Sequence, residues 1–275
     1  MSDPIKLSSP ATREFWEITV LFEDEHLLAL DKPERLLTSP DRLEPARPSL
    51  MQLLHAGLAD GKPWAKQRGL SYLANAHRLD AETSGVLLFA KNKAALVALA
   101  NLFGAEKPLS TCLALVQGAP EKNSFDIEVA VAPHPLQPGL MRADSRHGKR
   151  AKTHFELLEK FRGRSLLQCQ SLTNRAQQVR AHLQYCGCPI VGDRAYGGHE
   201  LLLSSLKPAY RLKGDRTERP LLSRAALHAE KLELPHPITG QPLAITAEWP
   251  KDLKVAVKYL RLYAAGSRLS PNAAA

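Results

Sequence analysis

The sequence predicts an α+β fold with a mixed, mostly antiparallel central sheet and flanking helices. Short apolar runs of strand length recur along the chain, and several follow one another with only turn-length spacers between them. Parallel neighbours need crossover connections of a dozen or more residues, so this spacing favours antiparallel pairing. A few longer segments carry apolar residues at helical spacing instead. The 275 residues, 44% of them hydrophobic, suffice for a sizeable core in one large domain or two small ones.

The first elements follow in order from the N-terminal third of the chain. In "ITVLFEDEHLLALDKP" two apolar runs flank an acidic turn at residues 23–25, which predicts a hairpin. "SLMQLLHAGL" predicts a short helix that Ser49 caps. "GVLLFAK" predicts a buried strand, and "NKAALVALANLF" predicts a helix that Asn92 caps.

The later elements continue the same pattern. "TCLALVQG", "SFDIEVAV", "KTHFELLEKF" and "SLLQCQSL" predict consecutive strands. "RAQQVRAHLQYCG" predicts a helix that ends near Gly187 and carries Arg180 off its apolar stripe. "RAALHAEKLEL" and "LAITAEW" return to strands, and "DLKVAVKYLRLY" predicts a last helix.

These elements predict one folded domain that comprises residues 18–265. Residues 1–17 are expected to form an N-terminal arm, and residues 266–275 a flexible tail because they are small and polar. Residues of about 199–220 mix apolar and basic character and predict an insertion. No repeat of fixed period is visible.

The charge balance points to a polyanionic partner. The chain carries 37 Lys and Arg against 28 Asp and Glu, a formal net charge of +9. Such an excess raises the local concentration of nucleic acid. Charge alone does not distinguish a nucleic-acid binder from the many basic proteins that bind none.

The sequence also excludes several classes of protein. The N-terminus has no apolar stretch of signal-peptide length, and no run approaches the ~18 apolar residues that span a membrane, so we expect a cytoplasmic protein that does not bind membranes. The four cysteines do not form a C-x-x-C pair, and "CGCP" has no matching second pair, so reduced thiols are expected rather than zinc. The sequence contains no phosphate-loop, dinucleotide-binding, serine-hydrolase or H-E-x-x-H motif.

One short stretch, "HRLDAETSG" at residues 77–85, carries a carboxylate beside an arginine and a turn sequence. Asp80 has an ordinary interpretation there, because an aspartate in a loop often stabilises a turn through its side chain. The residues on both sides of this aspartate favour a second interpretation. "HRLDAETSGVLLFAK" resembles the H-R-L-D-x-x-T-S-G segment of the RluA-like pseudouridine synthases, in which the aspartate is the catalytic residue.

Further blocks resemble the same family in the same order. They are "VLFEDEHLLALDKP", "LALVQG", "GKRAKTHFELLEKF", "QVRAHLQYCGCPIVGDRAYG" and "LHAEKLELPHPITGQPL", and together with the opening block they cover residues of about 18 to 250. The resemblance implies the pseudouridine synthase catalytic fold, and a domain that isomerises uridine in RNA without metal or cofactor. Some members carry an S4 RNA-binding domain ahead of this fold, and we expect none here because some seventeen residues precede the first predicted strand.

The chemistry of this reaction suits a single carboxylate. Isomerisation breaks the bond from the sugar to N1, turns the uracil and rejoins it through C5, so no electrons are exchanged. An ionised Asp80 can attack the nucleoside or remove a sugar proton, and the sequence leaves both routes open.

The resemblance also assigns supporting residues. Arg180 corresponds to the family arginine that accompanies the aspartate, and a cationic partner keeps a carboxylate ionised in a pocket without water. Arg78 resembles the arginine that helps hold RNA with the target base turned out. Four further positions in the matching blocks are candidate RNA contacts: Lys32, His77, Arg175 and Gln178.

The match departs from the family pattern at two places. Cys112 occupies the position of a family tyrosine that lies against the target base, and a thiol cannot stack as an aromatic ring does. In "TNRAQQVR" the family's Gly, Thr and His are replaced by Asn174, Ala176 and Gln177. The alternative to a divergent enzyme is therefore a catalytically impaired RNA-binding protein on the same fold. An Asp-dependent nuclease is more remote, because Mg²⁺ would need more carboxylates than Asp80 and Glu82.

The expected partner is a structured RNA, ribosomal or transfer RNA. We expect a monomer with no obligate protein partner. Phosphate contacts are expected from the basic segments "RLEPARP", "GKPWAKQR" and "RADSRHGKRAK" and from the predicted insertion, although each alone is also typical of a solvated loop.

Overall fold

The structure is a computed structural model that describes residues 3–41, 44–210 and 217–268. The chain divides into two compact units. The first contains the described residues of 1–110 and 229–248, and the second contains those of 111–228 and 249–275. In the described part of the chain, no helix is long and apolar enough to cross a membrane.

The first unit is built on an antiparallel ladder. Its sheet has the strand order β13-β6-β4-β3, with β14 paired to β13 and β5 to β6, and β1 and β2 form a separate hairpin. The pairs β3–β4, β4–β6, β5–β6 and β13–β14 are antiparallel. The strands are β1 (Ile5–Ser9), β2 (Glu14–Ile18), β3 (Val20–Glu23), β4 (Leu27–Lys32), β5 (Ala74–Asn75), β6 (Ser84–Ala90), β13 (Leu227–Pro235, whose first two residues belong to the second unit) and β14 (Pro242–Thr246).

Both faces of this sheet are covered. Alternate side chains of β4 and β6 enter two apolar clusters, with Leu30 and Phe89 in one and Leu27 and Leu88 in the other. The helices are α1 (Leu50–Ala59), α2 (Pro63–Gln67) and α3 (Lys93–Gly104). The sequence predicted α1 and α3 with their caps, and the cap hydrogen bonds are present: Ser49 Oγ accepts from Gln52 N–H, and Asn92 Oδ1 from Ala95 N–H.

The second unit repeats the antiparallel arrangement. Its strands run in the order β15-β11-β12-β7, β8 also pairs with β11, and β9 and β10 form a two-stranded sheet. The strands are β7 (Leu109–Gln117, whose first two residues belong to the first unit), β8 (Ser124–Ile127), β9 (Val131–Pro133), β10 (Met141–Ala143), β11 (Thr153–Phe161), β12 (Arg164–Ser171) and β15 (Ala265–Arg268). The helices are α4 (Gln178–Tyr185) and α5 (Lys251–Tyr263), with a 3-10 turn at Arg194–Tyr196. The predicted fold class, α+β with a mostly antiparallel sheet, is confirmed.

Three segments differ from the sequence-based picture. Residues 5–18, nearly all of them in the predicted arm, form the β1–β2 hairpin. Residues 266–268 of the predicted tail belong to β15, which pairs with the edge of β11, and residues 269–275 lie outside the described residues. In the region of the predicted insertion, residues 199–210 and 217–220 contain no helix or strand, and Leu201 and Leu206 are buried, while residues 211–216 lie outside the described residues.

Candidate active site

Asp80 lies in the loop that joins β5 to β6 in the first unit. Asp80 is partly exposed. The Asp80 carbonyl accepts a hydrogen bond from Thr83 N–H at 3.1 Å, which closes a turn over the "DAET" residues. The sequence predicted a turn here, and the structure places the carboxylate at its start.

Thr38 fastens the residue before Asp80. Its hydroxyl donates to Leu79 O at 2.8 Å and accepts from Leu79 N–H at 3.2 Å. Both backbone groups of Leu79 are therefore held by one side chain, and the Leu79 side chain packs against the apolar core. This anchoring limits the rotation of the backbone on the N-terminal side of Asp80.

Lys32 fastens the residue after Asp80. Its ammonium group is fully buried and donates to three carbonyls: Pro33 O at 2.8 Å, Leu36 O at 2.7 Å and Ala81 O at 3.1 Å. A buried ammonium needs such acceptors because burial removes its water. Lys32 thus places a positive charge under the loop that carries Asp80, and its predicted contact with RNA stays a prediction.

His77 lies at the start of the loop, and contacts to its ring fix its position. Nε2 accepts a hydrogen bond from Leu88 N–H at 3.0 Å, and the ring stacks on Phe103 with centroids 5.1 Å apart. Burial lowers the pKa of His77 to about 4, so the ring is neutral, as an Nε2 acceptor requires. The His77 carbonyl accepts from Asn75. Arg78, the next residue, is exposed.

Arg180 lies on α4 in the second unit and forms a buried ion pair. Its Nε and a terminal nitrogen donate to the two carboxylate oxygens of Asp193 at 2.7 and 2.8 Å. The side chains of Arg180 and Asp193 are 9% and 2% exposed. The guanidinium also lies over the Tyr196 ring, 4.6 Å from its centroid. Two-point pairing and stacking fix both the position and the plane of this cation.

Gln177, one of the departures from the family pattern, links this arginine to the β9–β10 hairpin. Its backbone is left-handed, with φ of 52°, at the start of α4. Its Oε1 accepts from Met141 N–H at 3.0 Å and lies 2.5 Å from the Tyr196 hydroxyl, while Nε2 donates to Gly139 O at 2.9 Å. An amide supplies both the acceptor and the donor that this position uses.

Gln178 is buried and saturated with internal hydrogen bonds. Oε1 accepts from the Thr173 hydroxyl at 2.8 Å and from Arg175 N–H at 3.2 Å. Nε2 donates to Lys152 O at 3.0 Å and Thr153 Oγ1 at 2.9 Å. These contacts fix the start of α4 against β11, and the predicted contact of Gln178 with RNA stays a prediction.

Arg175 lies at the surface just before α4. Its Nε donates to Arg150 O at 2.9 Å and one terminal nitrogen donates to Asn174 O at 3.0 Å. The guanidinium therefore holds the basic loop that precedes β11. A role of Arg175 towards RNA remains a prediction.

Cys112 lies on β7 and is 8% exposed. All four cysteines are free thiols. Burial raises the pKa of the Cys169 thiol, and the nearby Cys112 and Cys186 thiols raise it further. A hydrogen bond with Cys188 lowers the pKa of Cys186 to about 7. Across the described residues, no group of three or more His, Cys, Asp or Glu side chains is arranged to hold a metal ion.

Sequence reasoning missed several residues that build these two regions. Thr38 lies in no sequence motif that would predict its contact with Leu79. Asp193 and Tyr196 lie in the quoted block "GDRAYG", so the motif pointed to them without indicating that they hold Arg180. The signal available was their place, some fifteen residues after an arginine that needs a counter-ion when buried.

Residues 26–185 match the profile of the family described as RNA pseudouridylate synthase. The chain belongs to this family, whose members are isomerases that act on RNA.

Individual relatives agree with this assignment. The chain is 33% identical over 249 residues to ribosomal large subunit pseudouridine synthase D of Xanthomonas campestris, covering 89% of this chain and 70% of that protein. It is 32% identical over 247 residues to ribosomal large subunit pseudouridine synthase C of Escherichia coli, covering 88% of this chain and 70% of the relative.

A solved structure supports the fold. The structure titled human RNA pseudouridylate synthase domain containing 4 superposes with a TM-score of 0.64 at 21% identity, over 88% of this chain and 92% of the other. At this identity the likeness concerns the fold alone.

Proposed function

We propose that this chain converts one specific uridine of a structured RNA to pseudouridine, with Asp80 as the catalytic carboxylate. The observation that carries the proposal is the Asp80 loop. Thr38 and Lys32 form hydrogen bonds to the residues on both sides of Asp80, while Asp80 itself is partly exposed. A fixed backbone under an accessible side chain is the arrangement expected of a group that must meet a substrate in one geometry.

The reaction needs no group beyond the protein and the RNA. The C1′–N1 bond breaks, the uracil turns, C1′ bonds to C5, the C5 proton leaves and N1 takes up a proton. Asp80 serves either as the nucleophile at the sugar or as the base that removes a sugar proton. Both routes require an ionised carboxylate.

Ribosomal RNA is the substrate we propose ahead of transfer RNA. The support is the names of the relatives, which are ribosomal large subunit synthases. Arg78, which is exposed beside Asp80, is proposed to contact the RNA backbone near the turned-out base. Arg180 is proposed to act in catalysis as the family pattern implies, with Asp193 and Tyr196 as the residues that orient it.

Cys112 is proposed to remove or relay the C5 proton in place of the family tyrosine. We expect Cys112→Ala to lower kcat by roughly 10²-fold, the lower end of what a general acid or base contributes, with little change in KM. Cys112→Ser retains the size and a weaker proton donor, and serves as the comparison. Equal kcat in the wild type and Cys112→Ala would show that the thiol takes no part.

The experiment that tests the proposed function maps pseudouridine across cellular RNA with and without the gene. A uridine that loses its modification in the deleted strain, and regains it with the wild-type gene, identifies activity and substrate together. No change at any uridine would favour the alternative, an RNA-binding protein without turnover. A cytoplasmic location and a monomeric state are also proposals, tested by cell fractionation and by sedimentation.

A further inference from the structure

Tyr185 is an exposed aromatic residue at the end of α4. It is 61% exposed, although a tyrosine is usually half-buried with its ring packed. It follows Arg180 by five residues, which at 3.6 residues per turn rotates it by about 140° from the face that carries Arg180. Tyr185 therefore points away from the buried Arg180–Asp193 pair, and that pair does not explain its exposure.

Tyr185 forms one wall of a cleft of about 440 Å³ within the second unit. Clefts of roughly 300–1,000 Å³ are the size that binds small-molecule groups. The opposite wall is the loop after β10, in the basic segment "RADSRHGKRAK". The lining includes Val129, Arg142, Asp144, Arg146, His147 and Tyr185.

The loop after β10 is held in one conformation by hydrogen bonds to the Asp144 carboxylate. Asp144 Oδ1 accepts from the backbone N–H groups of Arg146 at 2.9 Å and His147 at 3.1 Å, and Oδ2 accepts from Arg142 at 2.5 Å. Gly148 completes the turn, since a Cβ there would lie 2.7 Å from Val131 N. The backbone N–H groups of Arg146 and His147 hold the pKa of Asp144 well below its usual range.

The two walls are also fixed to each other. His182, on α4 one turn before Tyr185, donates from Nε2 to Val129 O at 2.8 Å. Its Nδ1 accepts from the Thr153 hydroxyl at 2.8 Å, so both ring nitrogens are used. The cleft is therefore formed by secondary structure on one side and by a hydrogen-bonded loop on the other.

The charged residues that line the cleft are two arginines, Arg142 and Arg146, and one carboxylate, Asp144, so their net charge is positive. The Asp144 carboxylate is only 10% exposed and is directed into its own loop, where it also lies 3.3 Å from His147 Nδ1. Arg146 and His147 are exposed. Arg142 Nε is buried without a hydrogen-bond partner in the described structure. A hydrogen-bonded loop with two guanidinium groups opposite an exposed aromatic ring combines phosphate binding with a surface for base stacking.

We propose that this cleft binds an unpaired nucleotide of the RNA substrate, with its base stacked on Tyr185 and its phosphate held by Arg146 and His147. The inference rests on the proposed function for the identity of the RNA. The site lies outside the residues assigned to chemistry, so it would position the RNA without taking part in isomerisation. An acidic protein is a less favoured partner because carboxylate side chains gain nothing from the exposed ring face.

The test uses the full-length protein and two end-labelled probes of eight nucleotides, oligoadenylate and an abasic oligonucleotide of the same length. We expect Tyr185→Ala to weaken oligoadenylate binding about 5- to 50-fold, the range of one stacked base, and to leave abasic binding unchanged. Tyr185→Phe keeps the ring and should bind like the wild type. Arg146→Ala should weaken both probes equally.

Phe15→Ala is the matched control, because Phe15 is exposed to the same 61% but lies on β2 in the first unit. It should bind both probes like the wild type. The proposal is overturned if Tyr185→Ala leaves oligoadenylate binding unchanged. It is also overturned if Tyr185→Ala weakens the binding of the abasic probe, or of polyglutamate as an acidic polypeptide, as much as the binding of oligoadenylate. Thermal unfolding of each variant verifies that the fold is retained.

Failure of this inference can be distinguished from failure of the proposed function. Asp80→Asn should leave the binding of oligoadenylate intact. If gene deletion changes no uridine but Tyr185→Ala still loses base-dependent binding, the nucleotide site stands and the enzymatic proposal fails. If a uridine loses its modification but Tyr185→Ala binds normally, only the nucleotide site fails.

Discussion

His77 is neutral in the folded protein because its Nε2 accepts the Leu88 N–H and its ring is packed on Phe103. Protonation would place a hydrogen on the accepting nitrogen and break this bond. The unfolded chain has no such restriction, so its histidine titrates near 6.5. The residue that precedes Arg78 and Asp80 therefore makes the stability of the site dependent on pH.

We predict that the free energy of unfolding falls as the pH is lowered from 6.5 to 4. Between these values the unfolded state binds the proton and the folded state does not. The lowered pKa of His77 therefore reduces the free energy of unfolding by up to about 3 kcal/mol. Urea unfolding at several pH values measures this change. His77→Phe lacks the titrating group, and an equally steep decline in that variant would contradict the prediction.

At the scale of single residues, the sequence predicted the type of residue better than its contacts. Asp80 could be proposed as the catalytic residue because its motif is continuous along the chain. The partners of Arg180 and Lys32 could not, because Asp193 and Ala81 reach them only through folding. Long-range burial decides that Lys32 lies beneath the loop, and no local pattern records it.

At the scale of elements, the start of β6 fixes where the Asp80 loop ends. Gly85 has φ of 115°, and a Cβ there would lie 2.1 Å from Ala229 O on β13. A residue with a side chain would need both an unfavourable backbone conformation and a displaced neighbouring strand. The glycine of "ETSG" is thus required by the close approach of two strands.

We predict that Gly85→Ala destabilises the protein by about 3–5 kcal/mol, the sum of backbone strain and overpacking. Gly69→Ala is the control, since Gly69 also has positive φ, of 60°, but a Cβ there would have no atom within 4 Å. It should cost only about 1–2 kcal/mol. Equal losses in denaturant unfolding would show that the contact with Ala229 is unimportant.

The helix caps, whose signals are local, were predicted, whereas β15 and the exact start of α4, which depend on tertiary contacts, were not. Ser49 and Asn92 cap their helices through bonds to residues three positions on, so the sequence alone suffices. β15 exists because the edge of β11 is available to it, which its small residues do not announce. α4 begins at Gln178 because the left-handed Gln177 is held by the β9–β10 hairpin.

At the scale of the whole molecule, the excess of positive charge is the property that matters for a polyanionic substrate. The net charge of +9 raises the local concentration of RNA before any specific contact forms. The basic loop from Arg142 to Arg150 is one place where this charge is gathered on a fixed backbone.

We predict that the affinity for RNA falls steeply with salt. For three phosphate contacts, raising monovalent salt from about 50 to 200 mM should weaken binding roughly 20- to 40-fold through counterion release. Fluorescence anisotropy with a labelled ribosomal RNA fragment measures this. Asp80→Asn should show the same slope, and salt-independent binding would contradict an electrostatic mode.

The central claim is that the carboxylate of Asp80 carries the reaction, and one measurement tests it most directly. Pseudouridine is quantified at the affected uridine in deleted cells complemented with wild type, Asp80→Asn or Glu82→Gln. Glu82 is the matched control, a carboxylate two residues away that lies 3.7 Å from Arg47 at the surface. We predict full modification with wild type and Glu82→Gln and none with Asp80→Asn. Modification by Asp80→Asn would contradict it.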